Sequence, residues 1–328
     1  MLEPSACALC RSTDHLLLLA ACDPLKRIPG TFHVVKCRRC GFAYLNPTVS
    51  QLLQRAPHGY GPSLTRSPQR SAFHGGRLLR SATRRALVHY LGYQHLDHGV
   101  PDRLVRSLAW LRSRRLAVTF PPFLGRGRLL DIGCWTGGFL ERMREVGWDV
   151  TGIELLPEAA ALARAVTGTI FVGDLMDAPF PDRSFDVVTV FHVVEHVPEP
   201  VTAIRRILRW LAPGGMALIE VPNFAGLGRR LFGSAWHGLD LPFHLWHFTP
   251  RTLARAVEQA GGEVIQVKYL SDWQYVTKSL EIAGTNVSRR VLRVPLAKRL
   301  VTLSLALACQ AGFGEAIRLT ARPAKALP

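Results

Sequence analysis

The sequence lacks a long apolar run. Although 48% of its 328 residues are hydrophobic, no stretch approaches the ~18 consecutive apolar residues that cross a bilayer. The N-terminus reaches Glu3 and Cys7 at once, which leaves no room for a signal peptide. These absences predict a cytoplasmic protein, and the length predicts a full hydrophobic core and more than one domain.

Acidic residues are fewer than basic residues, and the difference is largest in the segments on either side of residues 129–285. There are 24 Asp and Glu against 41 Lys and Arg. Residues 50–128 carry fourteen basic and two acidic residues, and residues 286–328 carry eight and one, whereas residues 129–285 carry thirteen and eighteen. Basic flanks are consistent with solvated helix faces, with an anionic substrate or membrane, or with RNA. Aromatic residues do not alternate with the arginines, which disfavours a stacking platform for single-stranded nucleic acid.

Cysteine is scarce outside two C-x-x-C pairs. Each pair can supply two thiolates to one tetrahedral ion, and in a reducing compartment such pairs bind metal more often than they form disulfides. Strand-like runs at Leu16–Cys22 and Thr31–Lys36 lie between the pairs. We therefore predict a zinc ribbon over residues 1–49 with a structural Zn²⁺ ion, or alternatively an iron or iron–sulfur site. The predicted ligands are Cys7, Cys10, Cys37 and Cys40.

The segment Leu129–Leu140 combines an apolar strand, a glycine turn and the start of a helix. The next two strand-like runs end at the acids Glu154 and Asp174. Alternating strands and helices predict a parallel sheet, whose ligands bind at the carboxyl ends of the strands. An acid about 20 residues after a glycine turn is suited to ribose hydroxyls. Asp131, at the end of the first strand, would repel a pyrophosphate and suits an ammonium group.

Six sequence pieces in order resemble the class I S-adenosylmethionine-dependent methyltransferases. They are Leu-Leu-Asp-Ile-Gly-Cys-Trp-Thr-Gly, Gly-Ile-Glu, Gly-Asp-Leu, Phe-Pro-Asp-Arg-Ser-Phe-Asp-Val-Val, Val-Glu-His-Val-Pro-Glu-Pro and Leu-Ala-Pro-Gly-Gly-Met-Ala-Leu-Ile-Glu-Val-Pro-Asn. The resemblance implies an α/β fold with a Rossmann-like seven-stranded sheet over residues 124–328. It also implies a site for S-adenosylmethionine built from Asp131, Gly133, Gly137, Glu154, Asp174, Leu175 and Phe191.

Trp135 departs from this family, which usually has glycine at that position. A small residue there lets the cofactor approach the backbone. Trp135 is therefore expected to point away from the amino-acid part of the cofactor or to reshape that pocket. The alternative is a non-catalytic scaffold that keeps the fold without turnover.

The flanking segments contain further predicted helices. Arginines and leucines alternate with a helical period in residues 72–92 and 102–118, and the family places a helical lid, here 50–123, before the first core strand. Residues Glu263–Leu270 and Glu315–Ala321 are predicted as the last two strands, with residues 271–314 as an insertion. Within it, residues 286–313 predict either an ordinary buried helix or a basic helix in peripheral contact with an anionic membrane, at the inner face. Its leucines at one face are Leu296, Leu300, Leu303 and Leu307.

Histidines cluster after the fourth core strand and again in residues 236–249. In one hypothesis His196 or His244 is the general base for methyl transfer to a hydroxyl, with Glu195 beside it. In a second, His192, Glu195, His196 and either His244 or His247 bind a divalent metal. That set resembles the metal-dependent RNA 3′-end methyltransferases and ubiquinone-pathway O-methyltransferases. In a third the histidines are structural, with His247 capping a helix that begins after Thr249–Pro250.

The order of these segments resembles bacterial methyltransferases of surface glycans and similar pathways. The expected function is O-methylation of a sugar or another hydroxylated small molecule, either free or linked to a nucleotide or a lipid. An rRNA methyltransferase with a zinc ribbon is the alternative, although the Asn/Asp-Pro-Pro-Tyr/Phe motif of enzymes that methylate exocyclic amines is absent.

Overall fold

The computed structural model describes residues 2–3, 6–23, 28–49, 73, 77–97, 106–271, 273–284 and 295–324. The chain divides into two compact units. The first unit contains residues 1–62, 190–208 and 219–328, and the second contains residues 63–189 and 209–218. The segment Pro57–Pro68, whose prolines and glycines predict a linker or loop, lies outside the described residues, and the predicted domain boundaries stay a prediction.

Thirteen strands and nine α-helices are present in the described part of the chain, together with four short 3₁₀ helices. The strands are β1 (Leu2–Glu3), β2 (His15–Cys22), β3 (Thr31–Cys37), β4 (Ala43–Leu45), β5 (Thr48–Val49), β6 (Arg128–Ile132), β7 (Asp149–Glu154), β8 (Ile170–Val172), β9 (Phe185–Phe191), β10 (Leu211–Pro222), β11 (Trp246–His247), β12 (Gly262–Leu270) and β13 (Ala316–Pro323). The helices are α1 (Arg77–Leu91), α2 (Arg106–Thr119), α3 (Gly138–Glu145), α4 (Pro157–Arg164), α5 (Pro200–Trp210), α6 (Leu227–Phe232), α7 (Pro250–Gln259), α8 (Trp273–Ile282) and α9 (Pro295–Gln310).

The main sheet has seven strands in the order β12-β13-β10-β9-β6-β7-β8. Strands β6, β7 and β8 pair in parallel, and β12 pairs antiparallel with β13. The sheet is therefore mixed, as in class I methyltransferases, and the predicted α/β class and seven strands are confirmed. The last two strands begin within one residue of the predicted positions. Nearly all residues of β6 and β9 are buried, as is usual for strands in the middle of a sheet of this kind.

Helices α1 and α2 pack against each other in the second unit. Ala82, Ala86 and Leu87 of α1 are fully buried, so the helical period seen in residues 72–92 marks a packed face. Ordered polar contacts hold the loop that follows. Tyr93 donates its hydroxyl proton to the Pro121 carbonyl and accepts a hydrogen bond from the Trp148 indole. The two predicted helices are thus present, while their function as a lid stays a prediction.

A four-stranded sheet, β11-β4-β3-β2, lies in the first unit. Strands β2 and β3 form the predicted hairpin. Strand β11 was not predicted, because two residues are too few to show the alternation typical of a strand. It pairs antiparallel with β4 through Trp246 opposite Tyr44 and His247 opposite Ala43. The four-stranded sheet that contains the predicted β2–β3 hairpin therefore also includes Trp246 and His247 of the histidine-rich segment 236–249.

The insertion before the last strand contains α8 and α9. Helix α9 begins at Pro295, because proline is well tolerated in the first turn. Its four predicted leucines lie on one face, but each is more than half exposed, so the alternative of an ordinary buried helix is wrong for that face. No helix within the described ranges has the length and apolar character needed to cross a membrane.

Candidate functional site

The four cysteines of the two C-x-x-C pairs converge in the first unit. The sulfur atoms of Cys7 and Cys40 are 3.4 Å apart, as are those of Cys10 and Cys37, and all four lie within 4.8 Å of one another. Four sulfurs at about 2.3 Å from one zinc ion would be about 3.8 Å apart. The tight turn after Cys40 uses Gly41 in the left-handed region, at φ 77°. The cluster is consistent with the predicted zinc ribbon.

The glycine turn after β6 uses left-handed backbone conformations. Gly133 and Gly137 have φ values of 73° and 81°, and a Cβ on Gly137 would lie 2.9 Å from the Ala163 Cα atom. Trp135 also has a positive φ, of 50°, which costs a non-glycine residue about 1–3 kcal/mol. Glycine, which the family usually has at this position, would adopt this backbone conformation without that cost. This conformational reason for glycine is not evident from the sequence.

The backbone of Trp135 contributes directly to the turn. Its N–H donates to Glu154 Oε2 at 2.8 Å, and its side chain is 37% exposed instead of filling the core. Glu154 Oε1 accepts the N–H of Leu156 at 3.0 Å. These bonds fix the carboxylate orientation, while burial raises the pKa of Glu154.

Asp131 is a buried acid at the carboxyl end of β6. Its Oδ1 accepts a hydrogen bond from the Thr189 hydroxyl at 2.7 Å. Burial raises the pKa of Asp131 to about 7, and the nearby Glu154 charge acts in the same direction. A carboxylate whose charge is disfavoured by burial is well suited to bind a cation.

The other predicted cofactor residues lie at two different strand ends. Asp174 follows β8 and accepts the Met176 N–H at 2.8 Å, and the adjacent Leu175 is buried. Phe191 ends β9 and belongs to the first unit, where the Arg318 guanidinium lies 4.5 Å above its ring. Asp131, Gly133, Gly137, Glu154, Asp174 and Leu175 belong to the second unit.

Two histidines of the first unit are held next to each other. The rings of His196 and His244 are 4.6 Å apart and nearly perpendicular, at 75°. His196 Nδ1 lies 3.0 Å from the Phe243 carbonyl, and His244 Nδ1 lies 2.9 Å from the Gly238 carbonyl. A carbonyl oxygen only accepts, so each Nδ1 carries a proton, and in the neutral form of either ring Nε2 is the accepting nitrogen.

Glu195 lies beside this histidine pair and is completely buried. Its Oε1 is 3.3 Å from His192 Nδ1 and 4.0 Å from His244 Nε2. Burial alone would raise the pKa of Glu195, but the hydrogen bond and the positive charge of His192 lower it, so the carboxylate is ionised. Burial lowers the pKa of His196 to about 4, so that ring is neutral.

Ligand atoms of Glu195, His196 and His244 lie within 4.8 Å of one another. The other oxygen of Glu195, Oε2, has no hydrogen-bond partner among the described residues. Of the predicted metal ligands, the structure brings these three together and leaves His192 and His247 outside the set.

His192 instead lies between two carboxylates. Its Nδ1 is 3.3 Å from Glu195 Oε1, and its Nε2 is 3.3 Å from Glu220 Oε1. Arg318 Nε donates to Glu220 Oε2 at 2.8 Å. Burial would lower the pKa of His192, but the two carboxylates raise it to about 10. A protonated imidazole has no lone pair for a metal. No local sequence pattern indicates this charge chain, because Glu220 and Arg318 belong to two other strands, β10 and β13.

His247 does not cap the next helix. Thr249 is the N-cap of α7: its hydroxyl accepts the Thr252 N–H, and Thr252 Oγ1 accepts the Thr249 N–H in return. His247 is buried beside Phe224, at a ring distance of 5.1 Å, and its Nε2 has no hydrogen-bond partner in the described chain. The capping role expected for His247 is therefore wrong, while the predicted helix is present and begins at Pro250.

The Thr249→Ala variant should lower the free energy of unfolding by about 1 kcal/mol, because the first turn of α7 loses its cap. Arg251→Ala, an exposed change in the same turn, is the matched control and should have a much smaller effect. Urea denaturation of the two variants measures the difference. Equal stability of the two would contradict the assigned cap.

Comparison with known proteins identifies the family. A family model described as a methyltransferase domain matches residues 96–267, which is more than half of the chain. A ubiquinone biosynthesis O-methyltransferase from Xanthomonas axonopodis pv. citri is 33% identical over 178 residues, covering 50% of this chain and 74% of the relative. A second protein of that name, from Xanthomonas oryzae pv. oryzae, is 37% identical over 107 residues, covering 30% and 45%.

A malonyl-[acyl-carrier protein] O-methyltransferase from Serratia marcescens is 32% identical over 130 residues, covering 39% of this chain and 50% of the relative. The chain thus spans about half the length of several of the curated relatives that it matches, although it covers three quarters of one. The family match includes the glycine turn, both strand-end acids and the segment of Glu195 and His196. The chain belongs to the methyltransferase domain family, in the class I, S-adenosylmethionine-dependent group.

Proposed function

We propose that the chain transfers the methyl group of S-adenosylmethionine to a hydroxyl of a small acceptor, a sugar or a similarly hydroxylated molecule that is nucleotide- or lipid-linked. The observation that carries this proposal is the pair His196 and His244, both fixed as Nδ1–H tautomers beside the ionised Glu195. Removal of a hydroxyl proton needs such a base. The O-methyltransferase names of the relatives support the same type of acceptor atom.

The residues of the second unit fit S-adenosylmethionine. Asp131 would bind the ammonium group, because its buried charge lacks a cationic partner among the described residues. The oriented carboxylate of Glu154 would accept hydrogen bonds from the ribose hydroxyls. Asp174 and Leu175 would border the adenine ring of the cofactor. The cofactor supplies a methyl group on a sulfonium, which is already an activated leaving group.

His244 is the better placed of the two histidines to take the proton. Its Nε2 is 4.0 Å from Glu195 Oε1 and 3.9 Å from Asp240 Oδ2. Two carboxylates at this distance would stabilise the imidazolium that forms when the hydroxyl is deprotonated. His196, whose pKa is lowered to about 4, would stay neutral and hold the His244 ring in place.

The His244→Gln variant should lower kcat about 100-fold or more and leave the Kd of S-adenosylmethionine nearly unchanged, because only proton removal is lost. Formation of S-adenosylhomocysteine with sugar nucleotides, lipid-linked glycans and an rRNA fragment as acceptors measures turnover. Calorimetric titration measures cofactor affinity.

His33→Gln, an exposed change on β3, is the control for loss of an imidazole elsewhere in the first unit. Unchanged kcat in His244→Gln would exclude the base assignment. Methylation of the rRNA fragment alone would replace the small-molecule proposal by the RNA alternative. Failure of the wild-type chain to bind S-adenosylmethionine or S-adenosylhomocysteine would favour the scaffold.

A divalent metal at Glu195, His196 and His244 is a second candidate for the same residues. It is favoured by their convergence within 4.8 Å and by the unpartnered Glu195 Oε2. Two imidazoles and one carboxylate suit zinc, manganese or iron better than magnesium. Metal analysis separates the two readings: His244→Gln should lose a second metal ion per chain if the metal site is real, and no metal if His244 is only a base.

A further inference from the structure

Helix α9 carries apolar residues on two opposite faces. One face packs against the first unit, where Leu305 and Ala308 are buried and α9 lies beside β12. The other face consists of leucines spaced four, three and four residues apart, each 56–65% exposed. They are Leu296, Leu300, Leu303 and Leu307, and together they are called the leucine face. The buried face accounts for the packing of the helix, but not for the second set of leucines.

Exposed apolar side chains are also present beyond the C-terminal end of α9 and on α6. The Phe313 N–H donates to the Ala308 carbonyl, so the chain turns immediately after the helix. Phe313 is 36% exposed, and the Arg230 guanidinium lies 4.5 Å above its ring. Leu231, the next residue of α6, is 68% exposed. An apolar surface of this kind, bordered by arginine, is typical of an interaction site.

The charge around the leucine face has one sign. Between Glu281 and Glu315 the sequence has no acidic residue and five basic ones: Arg289, Arg290, Arg293, Lys298 and Arg299. Arg299 is exposed on the helix itself, next to Leu300. The first three lie outside the described residues and contribute only to the charge of the sequence.

The spacing of the leucines would also suit a pair of α9 helices from two copies of the chain. In such a pair, Arg299 would flank the apolar seam and face a helix that has no acidic residue. Paired helices are stabilised by opposite charges at these flanking positions, and like charges weaken them. A layer of anionic headgroups complements both the arginine and the leucines. The charge therefore favours a lipid surface over a second copy.

The length of α9 decides how it would meet a bilayer. Sixteen residues form a helix of about 24 Å, shorter than the ~30 Å hydrocarbon core. We propose that α9 lies flat on an anionic bilayer, with the leucine face in the acyl boundary and Arg299 and Arg230 among the headgroups. The proposal concerns membrane binding only and does not depend on the identity of the methyl acceptor.

Vesicle sedimentation of the full chain tests this proposal. Vesicles of phosphatidylcholine with phosphatidylglycerol should bind the wild-type chain, and vesicles of phosphatidylcholine alone should bind it much less. The double variant Leu300→Gln/Leu303→Gln should lower the partition coefficient about 100-fold, since burial of each leucine is worth about a factor of ten. Arg299→Glu should lower it about tenfold, and added salt should weaken wild-type binding.

Leu17→Gln is the matched control, because Leu17 is 59% exposed on β2 and lies far along the chain from α9. Unchanged cofactor affinity in every variant verifies that the chain is folded. The proposal fails if the wild-type chain binds neither vesicle or if the double leucine variant binds as well as the wild type. Light scattering measures the oligomeric state. If the wild-type chain is a dimer that does not bind vesicles, and the double leucine variant is a monomer, the leucine face binds a second copy and the proposal is wrong.

Discussion

Asp131→Asn is expected to raise the Kd of S-adenosylmethionine at least about 100-fold, because removing one partner of a buried charge pair costs about 3–5 kcal/mol. Asparagine has nearly the same shape and can still accept the hydrogen bond from Thr189. Only the negative charge that would meet the ammonium group is lost. Calorimetric titration with S-adenosylmethionine and S-adenosylhomocysteine measures the change, since both ligands carry that ammonium.

The stability of Asp131→Asn separates loss of the site from loss of the fold. The pKa of Asp131 is raised to about 7 in the folded chain, against about 3.9 in an unfolded one. A raised carboxyl pKa stabilises the fold at low pH, and this contribution is lost as the pH rises from about 4 through 7. At pH 8 the variant should therefore be at least as stable as the wild type. Asp182→Asn, a change at an exposed ion pair of the same unit, should leave the cofactor Kd unchanged.

The pH dependence of binding gives an independent measurement on the same residue. Below about pH 7 Asp131 binds a proton and loses the charge that attracts the ammonium, so wild-type affinity should fall about tenfold per pH unit. Glu154 also has a raised pKa, but Asp131→Asn leaves it in place. If the cofactor affinity of Asp131→Asn falls with decreasing pH as steeply as that of the wild type, Asp131 does not hold the ammonium group. The same conclusion follows if the variant has the wild-type Kd at pH 8.

The sequence predicts those parts of the molecule that depend on residues near one another in the chain. The strand-turn-helix of Leu129–Leu140, the cysteine pairs and the β2–β3 hairpin each have a local signature, because turns need glycine and buried strands need continuous apolar residues. The position of the acid Glu154 at a strand end follows from the same pattern. These elements are all present as predicted.

Features that depend on distant contacts were missed or misjudged. The partner of His196 Nδ1 is the Phe243 carbonyl, 47 residues away, and no sequence period links the two. The capping role given to His247 failed because Thr249 and Thr252 satisfy the helix start more locally. A helical period shows that the four leucines lie on one side of the helix, but it does not show whether another element covers that side. For this reason a buried helix was one of the predictions for the leucine face.

Replacement of Cys37 and Cys40 by serine should release one zinc ion per chain and unfold the ribbon. A domain of this size has too little apolar core to fold alone, and binding of a structural zinc ion supplies about 10–16 kcal/mol in isolated zinc domains. Atomic emission measures the metal, and thermal unfolding measures the stability. Cys22→Ser is the matched control, because Cys22 is exposed and lies outside the four-cysteine cluster, and it should keep both the metal and the unfolding temperature.

The effect of this change should reach the histidines of the first unit. The Leu45 N–H donates to the Leu245 carbonyl at 2.8 Å, next to His244, and Phe42 stacks on Trp246 at a ring distance of 5.7 Å. Unfolding of the ribbon removes this support, so kcat should fall as it does in His244→Gln. The ribbon belongs to the first unit, whereas Asp131, Glu154, Asp174 and Leu175 belong to the second, so the Kd of S-adenosylmethionine should change little. A metal-free variant with wild-type stability would contradict the zinc site, whereas loss of zinc without loss of kcat would show that the histidine segment holds its conformation unaided.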